Sequence, residues 1–280
     1  MTPPAPPAAP LRADCIGDSA GGLTFDVAAR RNNGAALLIL RRRVTDAVDA
    51  AADTVSLPLA PAAEGRLRAA LPSSVSLPEG RWDAYARLSD GRPRRLVPGV
   101  TDLRSLAERT PSGLLGHVAV RIPYATRQGN LTVRSWLRAP HAEAVELRLA
   151  SGGLTVRGRV YGTQLVPAAD AELRARPDGG ERGRDGAGVR RVEVAAERTE
   201  FAFTVPYEGL APGLWDLWLR PAGDAGPVVR LARLLDDVAD KNPVLTFPRV
   251  RVRTPHGPVE AGPYYTRDND LSLAVAPLEA

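Results

Sequence analysis

The chain has 280 residues, of which 44% are hydrophobic and 25% are charged, and its formal net charge is +5. That balance is typical of globular proteins and excludes a largely disordered chain, and the length is sufficient for two modules. A single cysteine, Cys15, excludes an intramolecular disulfide. Because the arginines are interleaved with 32 acidic residues, the composition favours no nucleic-acid partner.

The chain begins with a proline-rich stretch, MTPPAPPAAP, that lacks the basic and apolar regions of a signal peptide. We expect residues 1–16 to form a flexible tail. The longest apolar run, from Ala35 to Leu40, is far short of the ~20 residues that span a bilayer, so no direct membrane insertion is expected. Both observations favour a cytoplasmic protein that reaches the membrane only through a partner.

The next feature, Gly17-Asp18-Ser19-Ala20-Gly21-Gly22, matches the Gly-x-Ser-x-Gly nucleophile elbow of serine hydrolases. An elbow needs a strand before the serine and a helix after it. Here a proline-rich stretch precedes the motif and a strand-like alternation follows it. The sequence therefore predicts a turn into a strand, with a serine hydrolase at Ser19 as a remote alternative.

Beyond Gly22, short apolar runs alternate with polar residues and are separated by turns that use many of the 26 glycines and 26 prolines. Only two segments, Asp46–Asp53 and Leu231–Lys241, have a sequence compatible with a helix. Many short strands with regular turns predict an all-β protein made of two tandem immunoglobulin-like antiparallel β-sandwiches. We expect these modules to cover residues 17–122 and 123–280.

One strand pattern occurs twice, as Leu-x-x-Gly-x-Trp-Asp-x-aromatic-x-Arg, at residues 77–87 and 210–220. Side chains alternate along a strand, so each tryptophan is predicted to face the core. The opposite face carries an aspartate, an aromatic residue and an arginine in each copy. Such a half-exposed face could bind a sugar, contact a protein or be merely solvated. Its candidate residues are Asp83, Tyr85, Arg87, Asp216, Trp218 and Arg220.

A second pattern reads as a short turn leading into a strand, and it predicts module boundaries near residues 123 and 263. Its residues are Tyr124, Thr126, Arg127 and Asn130 in one copy, and Tyr264, Thr266 and Arg267 in the other. Leu23 and Leu131, taken as equivalents, are 108 residues apart (131 − 23), whereas the two tryptophans of the first pattern are 133 apart (215 − 82). The second module is therefore expected to carry about 25 extra residues. The polar, glycine-rich segment 177–188 is the candidate insertion.

No residues with recognisable catalytic or metal-binding spacing stand out. The histidines His117, His141 and His256 lack metal-ligand spacing, and we expect surface or turn positions for them. The acids at 236–242 and 268–270 could ligate calcium, but they do not follow EF-hand spacing and are interpreted as helix caps and turn residues. We expect no cofactor, no metal and no catalytic residue.

At the two repeated patterns, over roughly residues 20–280, the chain resembles the C-terminal immunoglobulin-like modules of bacterial cell-wall glycosyltransferases. These are family-2 and teichoic-acid polymer transferases of actinobacterial type, and their catalytic nucleotide-sugar domain has no counterpart here. The resemblance implies a non-catalytic accessory module that binds an anionic cell-wall polymer or a glycosyltransferase partner. The alternative is a purely structural, homo-oligomerising protein without a glycan ligand.

Overall fold

The computed structural model describes residues 9–29, 34–43, 53–89, 91–109, 111, 116–177 and 188–278. As predicted, the described chain is almost entirely β and forms sandwich-like sheets. It divides into two compact units. The first unit comprises Met1–Thr110, Ala119–Leu137 and Leu235–Ala239, and the second comprises Pro111–Val118, Arg138–Leu234 and Asp240–Ala280.

In the first unit, one sheet has the order β5-β6-β2-β1, and the other has β4-β3-β7 continued by β10 and β9. Strand β8 belongs to both sheets, because it pairs antiparallel with β7 and parallel with β1. The strands are β1 (Leu11–Gly17), β2 (Leu23–Ala28), β3 (Leu37–Arg42), β4 (Thr54–Pro58), β5 (Ala60–Pro61), β6 (Arg66–Leu71), β7 (Gly80–Arg87), β8 (Pro93–Asp102), β9 (Val118–Ala125) and β10 (Leu131–Arg138), with a short helix α1 (Arg104–Ala107) after β8.

The second unit repeats this arrangement. Its first sheet has the order β15-β16-β12-β11, its second contains β14-β13-β17-β21-β20-β19, and β18 pairs with both. The strands are β11 (His141–Ala150), β12 (Gly153–Tyr161), β13 (Asp170–Ala175), β14 (Val189–Glu193), β15 (Ala195–Glu197), β16 (Glu200–Pro206), β17 (Gly213–Arg220), β18 (Val229–Ala232), β19 (Val250–Thr254), β20 (Gly257–Tyr265) and β21 (Leu271–Pro277).

Every strand of the first unit has a counterpart in the second, and β19 is an additional edge strand paired with β20. The pairings β1–β8 and β11–β18 are parallel, and they are the departure from the antiparallel sheets expected from the sequence. In each unit, the first strand therefore runs parallel to the strand that follows the Trp-Asp pattern, which is β8 in the first unit and β18 in the second.

Strand register fixes which residues are equivalent. Leu23 pairs with Leu71 and Leu154 pairs with Val205, so Leu154 is the counterpart of Leu23. That separation is 131 residues (154 − 23), close to the 133 (215 − 82) between the two Trp-Asp tryptophans. The expectation of about 25 inserted residues is therefore wrong, because it compared Leu23 with Leu131. Most of the proposed insertion, residues 178–187, lies outside the described residues.

The predicted N-terminal tail is too long. Strand β1 starts at Leu11 and alternates buried and exposed residues, with Leu11, Ala13 and Cys15 facing the core. Because this alternation buries one face of the strand, residues 11–16 are part of the first sheet rather than of a tail. Burial, reinforced by Asp14 and Asp26, raises the pKa of the Cys15 thiol to about 12.

The Tyr-x-Thr-Arg pattern closes each unit instead of opening the next. Strand β10, which follows the first copy, pairs with β7 of the first unit. Strand β21, which follows the second copy, pairs with β17 in the same way and completes the second unit. The first unit therefore includes Ala119–Leu137 and extends beyond the boundary expected near residue 123.

The repeated tryptophans are core residues, as the alternation predicts. Trp82 and Trp215 are 0% and 3% exposed. Each indole Nε1 donates a 3.0 Å hydrogen bond to a carbonyl four residues earlier, Pro78 in one unit and Ala211 in the other. These bonds satisfy the one polar atom of each buried ring, so both rings can be buried without a desolvation penalty.

The helix expected at Leu231–Lys241 is not seen. Strand β18 ends at Ala232, and the residues up to Lys241 form bends, while residues 46–52 lie outside the described residues. The helix α1 was not predicted, and it has only four residues. None of the helices in the described ranges has the length and apolarity needed to cross a membrane.

Candidate functional site

The outward face of the first unit is organised around Asp83 of β7. Its Oδ1 accepts hydrogen bonds from Arg43 Nε at 2.8 Å and from Thr132 Oγ1 at 3.0 Å, and it lies 2.7 Å from a terminal nitrogen of Arg95. Burial opposes ionisation of this carboxyl, but the bonds from Arg43, Arg95 and Thr132 outweigh it and lower its pKa. The carboxylate therefore joins β7 to three neighbouring segments of chain.

The same arrangement recurs around Asp216 of β17. Its Oδ1 accepts hydrogen bonds from Arg176 Nε at 2.8 Å, from Arg230 at 2.6 Å and from Ser272 Oγ at 3.0 Å. Burial again opposes ionisation, and the bonds from the two arginines and the serine lower the pKa of the carboxyl below its ordinary value. The bonding groups occupy equivalent positions, so the cluster is part of the repeat.

An aromatic ring stands two residues after each of these aspartates, with guanidinium groups over it. Arg41 and Arg95 lie 5.1 and 4.9 Å from the centroid of the Tyr85 ring. Arg174 and Arg230 lie 4.8 and 5.1 Å from the Trp218 ring. The arginines over the rings come from the adjacent strands, and not from Arg87 or Arg220 of the repeated pattern.

Those two predicted arginines have different surroundings. Arg87 is exposed at the end of β7. Arg220 is 8% exposed, donates to Glu172 at 3.2 Å, lies 3.6 Å from Asp170 and also bonds Asp224. The six candidate residues thus lie on two equivalent faces, one in each unit, and the second face contains more acidic residues.

The Tyr-x-Thr-Arg residues form a hairpin turn at the end of each unit. Thr126 N donates to Asn130 O at 2.9 Å, and Thr266 N donates to Asp270 O at 2.9 Å. In each turn the threonine Oγ1 also accepts from the backbone N–H four residues later. Arg127 and Arg267 are exposed at the turns. The predicted turn into a strand is confirmed, and the threonine side chain explains its repetition.

Tyr124 and Tyr264 are the penultimate residues of the strands that lead into these two turns. The guanidinium of Arg176 lies 6.0 Å from the Tyr264 ring centroid. Tyr264 therefore continues the arrangement of arginine and aromatic side chains on the second unit. This contact links the repeated turn pattern to the repeated Trp-Asp pattern.

His141 does not occupy the surface or turn position expected for it. The residue is 1% exposed on β11, and its Nε2 lies 2.7 Å from Glu143 Oε2. Glu143 also accepts the Leu234 N–H at 2.9 Å. The prediction failed because the start of β11 is buried on both faces, with Ala142 and Ala144 in the core and His141 and Glu143 on the opposite side of the strand. His256 is exposed in a turn, as expected, and His117 is partly buried.

The Gly-Asp-Ser-Ala-Gly-Gly segment forms the turn between β1 and β2. Asp18 N donates to Gly22 O at 3.1 Å, and Asp18 Oδ1 accepts from the N–H groups of Ala20 and Gly22 at 2.8 and 2.9 Å. Strand β2, not a helix, follows. Ser19 is therefore an exposed residue of a hairpin turn, and the segment lacks the geometry of a nucleophile elbow.

The acidic segment at 236–242 consists of turn residues, as interpreted from the sequence. Asp236 Oδ1 accepts the Val238 N–H at 3.0 Å, and Asp240 Oδ1 accepts the Asn242 N–H at 3.3 Å. In the described part of the chain, no group of three histidine, cysteine or acidic side chains could hold a metal ion.

Sequence reasoning missed the arginines that surround the two aspartates. A signal for them exists: Leu-Arg-x-Arg occurs at residues 40–43 and again at 173–176. In both copies the first arginine lies over the aromatic ring and the second bonds the aspartate. Aligning these short strands after the Trp-Asp pattern would have assembled the cluster.

In comparisons with known proteins, no family model and no curated protein matches the chain.

Proposed function

We propose that the protein is a non-catalytic accessory module of cell-envelope glycan or teichoic-acid-type polymer synthesis, and that it contacts the anionic polymer. The observation that carries this proposal is the repetition of one arginine–aspartate–aromatic arrangement on the outward face of both units. The arginine side chains remain accessible: Arg43 is 45% exposed and Arg176 is 34% exposed.

Guanidinium groups are well suited to such a ligand, because they donate paired hydrogen bonds to phosphate and carboxylate oxygens. Aspartate and aromatic contacts hold these arginines in place before binding, so less conformational entropy is lost when the ligand arrives. The net charge of +5 favours anionic partners at long range. We expect this role in the cytoplasm, at the membrane surface, through a glycosyltransferase partner.

Co-sedimentation with purified cell walls tests the proposal. The walls are used intact and after their anionic polymers have been stripped, at low and moderate salt. Pelleting that disappears on stripping supports polymer binding. Absence of pelleting, together with a defined oligomer in light scattering, would contradict it and support the structural, homo-oligomerising alternative.

A further inference from the structure

The two units present the same four arginines on equivalent faces. In the first unit, Arg41 lies opposite the aspartate, Arg95 lies opposite the aromatic ring, and Arg87 lies at the end of the strand. Arg174, Arg230 and Arg220 occupy the same three positions in the second unit. Arg43 and Arg176 follow, each donating its backbone N–H at 2.8 Å to the strand that carries the aspartate. The second unit therefore provides an internal reference for the first.

Acidic partners neutralise these arginines in the second unit. Glu172 lies opposite Trp218 and bonds Arg174 at 2.5 Å and Arg220 at 3.2 Å. Asp170 lies opposite Arg220. Burial opposes ionisation of Glu172, but the bonds from both arginines lower its pKa, so the carboxylate is charged at neutral pH.

The first unit has apolar residues at the positions of both acids. Ile39 lies opposite Tyr85, where the second unit has Glu172, and Leu37 lies opposite Arg87, where it has Asp170. Arg41 and Arg87 are both exposed, and among the described residues neither forms an ion pair with a carboxylate. The strands β3, β4, β7 and β10 contain a single acidic residue, Asp83.

We propose that this arginine face of the first unit, made of Arg41, Arg43, Arg87 and Arg95, binds a linear polyanion with repeated phosphate groups. The inference deepens the proposed function and rests on its binding role. The four arginines lie on the adjacent strands β3, β7 and β8, or directly after them, and neighbouring strands are ~4.8 Å apart. Several phosphates of one chain can therefore be bound in succession across the sheet.

Asp83 fixes two of the four guanidinium groups without neutralising the face. Arg43 and Arg95 share its one negative charge, and Arg41 and Arg87 add two positive charges that no described carboxylate pairs. An excess of positive charge on a partly exposed sheet face matches a polymer whose charges are spread along its length.

A phosphate polymer without bases fits this face better than a nucleic acid. Single-stranded nucleic acids bind where bases can stack on accessible aromatic rings. The aromatic ring of this face, Tyr85, already has the guanidinium groups of Arg41 and Arg95 over it. Phosphate contacts remain available, whereas a stacking surface does not.

The test uses medium-chain inorganic polyphosphate as the probe and compares two variants of the full chain that lose the same charge. Arg41→Gln/Arg87→Gln removes the two arginines of the arginine face that no carboxylate of the described residues pairs. Arg157→Gln/Arg253→Gln removes two exposed arginines of the second unit that lie outside its arginine–aspartate–aromatic arrangement, and serves as the matched control. Dissociation constants are measured over a range of salt concentrations, with inorganic phosphate and single-stranded DNA as further ligands.

We expect the first variant to bind polyphosphate about tenfold more weakly at low salt, with the slope of log K against log salt reduced by about 1.4. The control variant should bind almost as the wild type does. Equal losses in both variants, no binding by the wild type, or tighter binding of DNA than of polyphosphate at equal phosphate concentration would each overturn the inference.

The same variants separate this inference from the proposed function. Wall pelleting that persists in Arg41→Gln/Arg87→Gln would overturn the assignment to the arginine face while leaving the proposed function intact. Selective loss of polyphosphate binding in a protein that never pellets with walls would support the face and contradict the proposed function.

Discussion

The substitution Asp83→Asn tests whether a charge, rather than the shape of a side chain, joins the strands of the first unit. Asparagine keeps the volume and an acceptor for Thr132 but removes the charge that faces Arg43 and Arg95. A hydrogen bond to a charged group contributes ~1.5–3 kcal/mol, against ~1 kcal/mol for a neutral one. Because the Arg43 side chain is 45% exposed, its share is reduced by solvent screening. We expect the free energy of unfolding to fall by about 2 kcal/mol at pH 7.

This loss should depend on pH in a defined direction. Burial opposes ionisation of Asp83, but the arginine bonds prevail, and the pKa of the folded protein lies below the ordinary aspartate value of about 3.9. The stabilisation by the carboxylate is therefore complete above that value, and it is lost as the pH falls through the lowered pKa. Wild type and variant should become equally stable in acid.

Urea unfolding at pH 7 and at about pH 2.5 measures the difference, and hydrogen exchange of the β7 peptide assigns it to the first unit. Asp216→Asn is the matched variant, with the same effect expected in β17, since Asp216 has equivalent partners. A variant as stable as the wild type at pH 7, or a loss that persists unchanged in acid, would refute the reasoning.

Two further predictions concern buried positions. Burial raises the pKa of Cys15 to about 12, so the native thiol should react negligibly with a disulfide reagent at pH 8 and rapidly in urea; rapid reaction of the native protein would contradict its burial. Gly158→Ala would bring its Cβ into collision with Glu143 O and the Phe201 ring, and should destabilise the second unit by about 1–3 kcal/mol. Gly152→Ala, which meets nothing within 4 Å, is its control and should melt as the wild type does, whereas equal effects would show that the close approach is unimportant.

The fold class and the core tryptophans could be predicted because strand alternation is a local property. The repeated Trp-Asp strand alternates buried and half-buried residues in both units, as its sequence indicates. Local patterns sufficed wherever one strand was compared with its own repeat.

The boundaries were not predictable from the same patterns, because a boundary depends on which strands pair. The Tyr-x-Thr-Arg turn precedes a strand in both copies, and the sequence alone does not tell whether that strand pairs backwards or forwards. Strand β10 pairs with β7, more than forty residues earlier in the chain. In the same way, β1 was assigned to a tail because its partners β2 and β8 are not apparent from its own composition.

The candidate site was predicted in part for a related reason. The aspartates and aromatic rings lie within one strand pattern, whereas their arginine partners come from β3 and β8, or from β13 and β18. Contacts between strands depend on register, which the sequence leaves open until the repeat has been aligned. The buried pair His141 and Glu143 escaped notice because an isolated histidine carries no periodic signal.

The two units share the residues around the central aspartate and differ in the residues beside the aromatic ring and the last arginine of the pattern. The aspartate, its two arginines and its hydroxyl are the same in both, and they join the same neighbouring strands. Ile39 and Leu37 replace Glu172 and Asp170 without changing the strand pairing, so the fold accepts either pair. The difference is electrostatic. In the second unit Glu172 neutralises Arg220, whereas in the first unit Arg87 has no carboxylate partner among the described residues. The shared residues therefore stabilise the sheets, and the residues that differ are the ones we expect to decide which unit binds a polyanion.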